Sequence, residues 1–373
     1  MNPNDILNKV LISATSNLKK RSVADPAIGK RLEYVCRCIS NRAGIRLLMS
    51  CLLAKMHKKN VDPRKPYTQI GSTDSFSGRT YDERYLTHFI NENQLPCNPT
   101  TAFLTPALRN IDRPLTTDIE IVGRPREVYT STLQLLQDVH VKRVTAEDLL
   151  TDAVRFLIQL RDEKQRRMEE LVQELKEGKG ALPLSSEHIV ILIKQHLSCK
   201  NSSRLTVLVV AAAYKAASSR IGEWSKPLLA HNAADLQTKA LGDVEICLVG
   251  DEHVVTAYEM KMKRVTVDDI DTALQKIARA KSEIHNYVFI TTEEIDALVA
   301  DYASKFYEKT GGTEIAILDC IGFIRHFLHF FHRLRVEFLD IYQELVLGEP
   351  DSAISQPLKE AFLTLRKAAE SDE

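Results

Sequence analysis

The spacing of apolar positions changes character about midway along the chain. Up to about residue 200 the chain reads as mostly helical from the spacing of its apolar residues. Residues 5–60 read as helical, most clearly in "RAGIRLLMSCLLAKMHKK". The stretch "NVDPRKPYTQIGSTDSFSGRTYDER" is rich in Pro, Gly, Ser and Asp and reads as an organised loop. Helix resumes in "YDERYLTHFINENQL", and the prolines of "PCNPTTAFLTP" bias that piece towards an extended chain. Two further helices follow, "REVYTSTLQLLQDVHVKR" and the long charged "TAEDLLTDAVRFLIQLRDEKQRRMEELVQELKEGKG". The second opens with Thr145 three residues before Asp148, a capping-box start. "SSEHIVILIKQHLSC" is a helix with a serine cap.

Beyond residue 200 the period switches. An Ala-rich helix, "SSRLTVLVVAAAYKAASSRIG", precedes two strands, "GDVEICLVG" and "HVVTAYEMK". An amphipathic helix capped by Thr266 and Asp269 leads to a short strand, "NYVFITT". After residue 293 the pattern reads as helical again, including the whole run "IAILDCIGFIRHFLHFFHRLRVEFLDIYQELV". The order helix, strand, strand, helix, strand predicts an α/β (mixed α+β) fold: a central mixed sheet flanked by helices, with all-helical regions at both ends. The expected divisions are a basic helical region over 1–70, a mainly helical region over 71–200, the sheet-bearing core over 201–295, and a helical region over 296–373.

Composition narrows the function classes. There is no apolar run near 18 residues and no signal-like N-terminus, so a cytoplasmic protein without membrane spans is expected. Seven cysteines, an odd number with no Cys-x-x-Cys pair, argue against a disulfide framework or structural zinc. Net charge is zero, yet residues 1–70 hold fourteen Lys/Arg against four Asp/Glu. That imbalance permits a local phosphate-binding face; solvated helices explain it equally well.

The candidate chemistry lies in "LGDVEICLVGDEHVVTAYEMKMKRVT", 241–266. Glu-x-Lys alone is a weak signal, since "ELK" and "EGK" also occur at the end of a charged helix. In "YEMK", period-two alternation sets Glu259 and Lys261 on one face of a strand, with Tyr258, Met260 and Met262 on the other. A hairpin through "VGDEH" brings Asp243 back beside them, leaving Asp251 and Glu252 at the far turn. Two close carboxylates repel, and Mg²⁺ would remove that conflict with oxygen ligands from Asp243, Glu259 and the Met260 carbonyl. Lys261 would orient or help deprotonate a water, or offset phosphate charge. These are the parts for hydrolysis of a phosphodiester. The rival is a solvated hairpin whose charges keep a sheet edge soluble.

The pattern "GDVEI…YEMK" resembles the PD-(D/E)xK nuclease signature, with Gly242 where proline often stands. Together with "DSFSGRTYDERYLTHFI" and "NAADLQTKALGDVEI", it is similar to type II restriction endonucleases of the SacI family. The resemblance implies a restriction-endonuclease-like core and a cytoplasmic homodimer that uses Mg²⁺, with Mn²⁺ as a substitute, and no nucleotide cofactor. It implies cleavage of double-stranded DNA at a short palindrome, leaving 5′-phosphate and 3′-hydroxyl ends. The alternatives are a structure-directed repair or defence nuclease of the same fold, and a non-catalytic DNA-binding protein with a degenerate core.

Other residues carry weaker readings. Glu223 is a candidate upstream carboxylate, and Asp235 and Glu245 are candidate metal or supporting ligands; capped turns and exposed strand charges explain them as well. Lys276 and Arg279, with Lys281, sit on the helix after the Glu-x-Lys strand and are candidates for phosphate contact. Arg79 and Arg84 in "SFSGRTYDERY" either contact DNA or belong to an ion-pair cluster linking the helical region to the core. His326, His329 and His332 lie in a phenylalanine-rich stripe that reads as a buried helix with histidines at its margin.

Overall fold

A helix that is apolar on all sides has to be wrapped by others, and Ala43–His57 is such a helix, with every residue from Ala43 to Ala54 buried. The computed structural model describes residues 2–16, 18, 20–98, 100–109, 111–177, 182–229, 240–279 and 284–371. The chain divides into two compact units, residues 1–167 and 168–373.

The first unit is helical: α1 (Pro3–Ser16), α2 (Pro26–Arg37), α3 (Ala43–His57), α4 (Gly78–Tyr81), α5 (Thr87–Glu92), α6 (Arg126–His140) and the first part of α7 (Ala146–Glu177). Helices α1, α2, α4 and α6 pack around α3. The Thr145–Asp148 capping box forms as expected at the start of α7, with the Asp148 N–H donating to Thr145 Oγ1 at 3.0 Å.

Inside this unit Arg46 and Asp82, both fully buried, form an ion pair at 2.5 Å. Thr101 Oγ1 (2.7 Å) and the Ala102 N–H (2.9 Å) donate to the other Asp82 oxygen. Arg46 also donates to Thr87 Oγ1 at 2.6 Å and to the Asn98 carbonyl. A buried pair is tolerated only when its remaining groups are satisfied in this way. Six more of the basic N-terminal residues form more exposed pairs: Lys9–Glu147, Arg21–Glu33, Arg31–Asp138, Arg37–Glu163, Arg64–Asp62 and Lys65–Asp74. All seven cysteines are free thiols, five of them buried.

The second unit holds α8 (Ser186–Leu197), α9 (Ser203–Ile221), β1 (Glu223–Ser225), β2 (Val244–Leu248), β3 (Val254–Lys261), α10 (Val267–Arg279), β4 (Asn286–Thr291), α11 (Ala297–Ser304), β5 (Glu314–Asp319), α12 (Cys320–Phe330), α13 (Arg335–Gly348) and α14 (Gln356–Ser371). The five strands form one sheet in the order β1-β2-β3-β4-β5. The first two pairings are antiparallel and the last two parallel, so the sheet is mixed. On one face Val244, Ile246, Tyr258, Val288 and Ile290 pack against α9 and the C-terminal helices. On the other, Ala257, Tyr287, Phe289 and Ile315 pack against Ile270 and Ala273 of α10 and against Val299 and Ala303 of α11.

Two strands depart from the sequence expectation. β1 is three residues long, too short to show a period, and follows directly where Gly222 ends α9 with φ +70°. β5 lies in the run expected to be helical after residue 293. Its apolar residues are few enough to fit either period; pairing with β4 decides it, and Asp319 then caps α12 through the Gly322 N–H. The three histidines behave as margin residues: His329 bonds Glu187 at 2.9 Å, while Ile324, Phe327 and Leu328 carry the buried stripe. Among the described residues no helix is long and apolar enough to cross a membrane.

His196 is fully buried beneath α13 and α14. Its Nε2 donates to the Leu358 carbonyl and its Nδ1 accepts from the Tyr342 hydroxyl, both at 3.0 Å. Burial pushes its pKa down to about 4. The unfolded imidazole, with a pKa near 6.5, takes up its proton first, so the stabilisation is complete above pH 6.5 and is lost as pH falls towards 4. Denaturant titrations should show unfolding of the second unit weakened by about 2 kcal/mol between pH 7.5 and pH 5. His196→Gln should flatten that slope; an unchanged slope would refute the assignment.

Candidate active site

The β2–β3 hairpin turns through Gly250 (φ +87°), and Asp251 Oδ1 accepts the His253 N–H at 2.8 Å. Asp251 is therefore a turn residue, at the end of the hairpin away from Asp243. The register pairs Val244 with Tyr258. One step further along, Asp243 lies beside Glu259, and the Met260 N–H donates to Asp243 Oδ2 at 2.8 Å.

Strand parity does the rest. Tyr258 and Met260 pack into the core on the α9 face, which leaves Glu259 and Lys261 on the face covered by α10. There Lys276 Nζ of α10 lies 2.9 Å from Glu259 Oε2, and Lys261 Nζ lies 3.3 Å from Glu259 Oε1. The Tyr287 hydroxyl of β4 reaches the same Oε2 at 3.1 Å. Lys261 is also 2.9 Å from Asp269 Oδ1. Asp269 in turn closes the expected capping box: its Oδ2 accepts the Thr266 N–H at 2.9 Å and the Thr266 hydroxyl at 2.8 Å. Burial works against the Lys261 charge, but Asp269 and Glu259 outweigh it and hold its pKa above the usual lysine value. Burial likewise works against ionised Asp269, and the Lys261 and Thr266 hydrogen bonds bring its pKa below the usual carboxylate range.

The segment before Asp243 is held from both sides. Glu245 Oε1 accepts the Leu241 N–H at 2.8 Å, and the Tyr287 hydroxyl lies 3.0 Å from the Leu241 carbonyl. Glu245 thus anchors its own chain. Gly242, at the position where a proline was the expected pattern, passes so close to β3 that a Cβ there would meet the Tyr258 carbonyl oxygen at 2.5 Å and its carbonyl carbon at 3.0 Å. Only glycine allows this approach, and it is what seats Asp243 against Met260.

Several other candidates lie elsewhere. Glu223 pairs with Leu248, at the opposite end of β2 and on the α9 face. With a rise of about 3.3 Å per residue it is roughly 16 Å along the strand from Asp243, and the structure does not bring it to the site; burial raises its pKa. Asp235 and Lys281 lie outside the described residues. Arg279 is exposed at the last position of α10. Arg79 and Arg84 belong to the first unit. Arg79 is exposed in a pair with Glu83 at 2.7 Å, and Arg84 is exposed. Asp82 of the same segment pairs with Arg46 inside the first unit. Gly78 there is packed against Phe103 and Pro66.

Tyr287 and the contact of Lys276 with Glu259 went unread in the sequence. One signal was present: Asp269, Ala273 and Lys276 stand four and then three residues apart, a single helical stripe, and the buried Ala273 marks that stripe as facing the sheet.

Gly242→Ala should lower stability by about 1–3 kcal/mol, because the atoms met are backbone and cannot step aside. Tyr287→Phe should cost about 0.5–1.5 kcal/mol, the value of the one hydrogen bond its hydroxyl proton can donate. Chemical denaturation checks both; a neutral Gly242→Ala would overturn the close approach.

Residues 184–293 match the family model described as the SacI restriction endonuclease C-terminal domain. No curated protein matches the chain. The matched segment runs from the start of α8 to just past β4, and contains Asp243, Glu259, Lys261, Lys276 and Tyr287. Over the segment that bears these residues the chain is therefore similar to the C-terminal domain of the SacI restriction endonuclease.

Proposed function

We propose that this chain is a Mg²⁺-dependent type II restriction endonuclease that hydrolyses phosphodiester bonds at a short palindromic site in double-stranded DNA. The observation that carries the reading is the meeting of Asp243, Glu259 and Lys261 at one end of two adjacent strands inside the matched segment. The succession α9-β1-β2-β3-α10-β4, a mixed sheet with helices on both faces, supports a restriction-endonuclease-like core of the PD-(D/E)xK type.

The residues fit the implied metal. Among the described residues no three His, Cys, Asp or Glu side chains gather into a cage. Two carboxylates on neighbouring strands, completed by water and phosphate oxygens, are the sparse hard-oxygen set that Mg²⁺ takes. Asp243 and Glu259 would hold it, with the Met260 carbonyl as a further oxygen, and Mn²⁺ would substitute. Once bound, such an ion lowers the pKa of a water and offsets charge on phosphate oxygens.

The protein's own groups do the positioning. The Met260 N–H fixes one Asp243 oxygen. Lys261, an ammonium held between two carboxylates, would donate to the attacking water or to a phosphate oxygen. Water attacks phosphorus, the 3′-oxygen leaves and takes a proton, and the ends carry 5′-phosphate and 3′-hydroxyl. A homodimer gives the two cuts that a palindrome requires.

Purified protein should cut plasmid DNA into discrete bands with Mg²⁺ and leave it intact with EDTA. Alanine at Asp243, Glu259 or Lys261 should each abolish cutting, on the order of 10²-fold or more, in protein that still folds. A smear would favour a structure-directed nuclease. Binding without cutting under both Mg²⁺ and Mn²⁺ would favour a non-catalytic protein, and full activity in all three variants would sink the site.

A further inference from the structure

Two lysines reach Glu259, and their surroundings differ. Lys261 lies nearer to Asp269 (2.9 Å) than to Glu259 (3.3 Å). Asp269 is itself fixed by two hydrogen bonds from Thr266. Lys261 therefore keeps an anchored partner whatever happens to Glu259. Lys276 contacts the other Glu259 oxygen at 2.9 Å. That carboxylate is only 16% exposed, and a carboxylate so far out of water needs a positive partner. Asp243 alongside it adds a second negative charge and increases the need.

We infer that Lys276 is the resident counter-ion of this site: its ammonium occupies the Glu259 oxygen that a divalent cation takes, and it leaves that oxygen when the cation binds. The inference rests on the reading of Asp243 and Glu259 as cation ligands. An ammonium and a divalent ion on one carboxylate oxygen repel each other strongly at such range. Lys276 stands one turn before the end of α10, and its four-carbon stem lets the ammonium swing away without moving the helix. A phosphodiester bound at the cation gives the released ammonium a new anionic partner. Lys276 thus opposes the cation when DNA is absent and accommodates it when DNA is present, so that each ligand strengthens the other's binding. Lys261 is the fixed cation of the pair and Lys276 the exchangeable one.

Mn²⁺ binding to the full chain, followed by electron paramagnetic resonance without DNA, tests this. Asp243→Asn should lose the bound ion, which locates it. Lys276→Met keeps the stem and removes the charge, and it should bind Mn²⁺ on the order of tenfold more tightly than the natural protein. Lys276→Gln gives the same readout if the methionine variant does not fold. In the natural protein an uncleaved DNA duplex should tighten Mn²⁺ binding, and in either Lys276 variant that gain should shrink. Equal or weaker Mn²⁺ binding in the Lys276 variants, with Asp243→Asn still losing the ion, overturns the counter-ion role alone. A natural protein with no Mn²⁺ that Asp243→Asn removes overturns the cation reading, and the counter-ion role with it.

Discussion

The register between β2 and β3 is the constraint on which the site depends. Side chains alternate with period two, so a slip of one residue would turn Glu259 and Lys261 into the α9 core and bring Tyr258 and Met260 out of it. The core therefore specifies the register: Val244, Ile246 and Tyr258 are buried together. The positions of the charged residues follow from where the apolar ones must go. Gly242 and the Met260 N–H then set the last step, the depth at which Asp243 sits against β3.

Around that hairpin the polar groups form a connected chain. Thr266 holds Asp269, Asp269 holds Lys261, and Lys261 meets Glu259; on the other side Tyr287 and Glu245 hold the main chain of Leu241. Each contact taken singly is modest. Together they leave the side chains little freedom, which is what a site requires if its geometry is to be set before substrate arrives. The first unit follows the same logic in a different setting, where Arg46 and Asp82 are buried with their hydrogen-bonding capacity met by Thr87, Asn98, Thr101 and Ala102.

The hairpin was legible because its two strands alternate cleanly and a glycine-bearing acidic turn joins them. The caps of α7, α8 and α10 were legible because a cap is local chemistry: Thr145, Ser185 and Thr266 each accept from a backbone N–H three residues on. β5 was not, since a run of only four apolar residues takes its conformation from the strand beside it. Tyr287 was hidden for a related reason. It stands 28 residues after Glu259, and only the parallel crossover through α10 brings the two within 3.1 Å. Lys276 was noticed for its charge, but its contact with Glu259 was not, because a sequence shows which face a helical lysine shares but not what lies opposite. The N-terminal cations were legible as a cluster, while several of their acids, Asp74, Asp138, Glu147 and Glu163, come from outside that segment.

The family match ends at residue 293, two residues after β4 closes, yet the sheet continues to β5. The boundary drawn by sequence similarity therefore cuts between two hydrogen-bonded strands. A fragment ending there would leave the main-chain groups of Asn286–Thr291 unpaired along one side and uncover Tyr287, Val288, Phe289 and Ile290 beside them. Such an edge, apolar and free of proline, is a template for pairing with other copies. A fragment that keeps the sheet whole has to reach through β5 and its cap at Asp319.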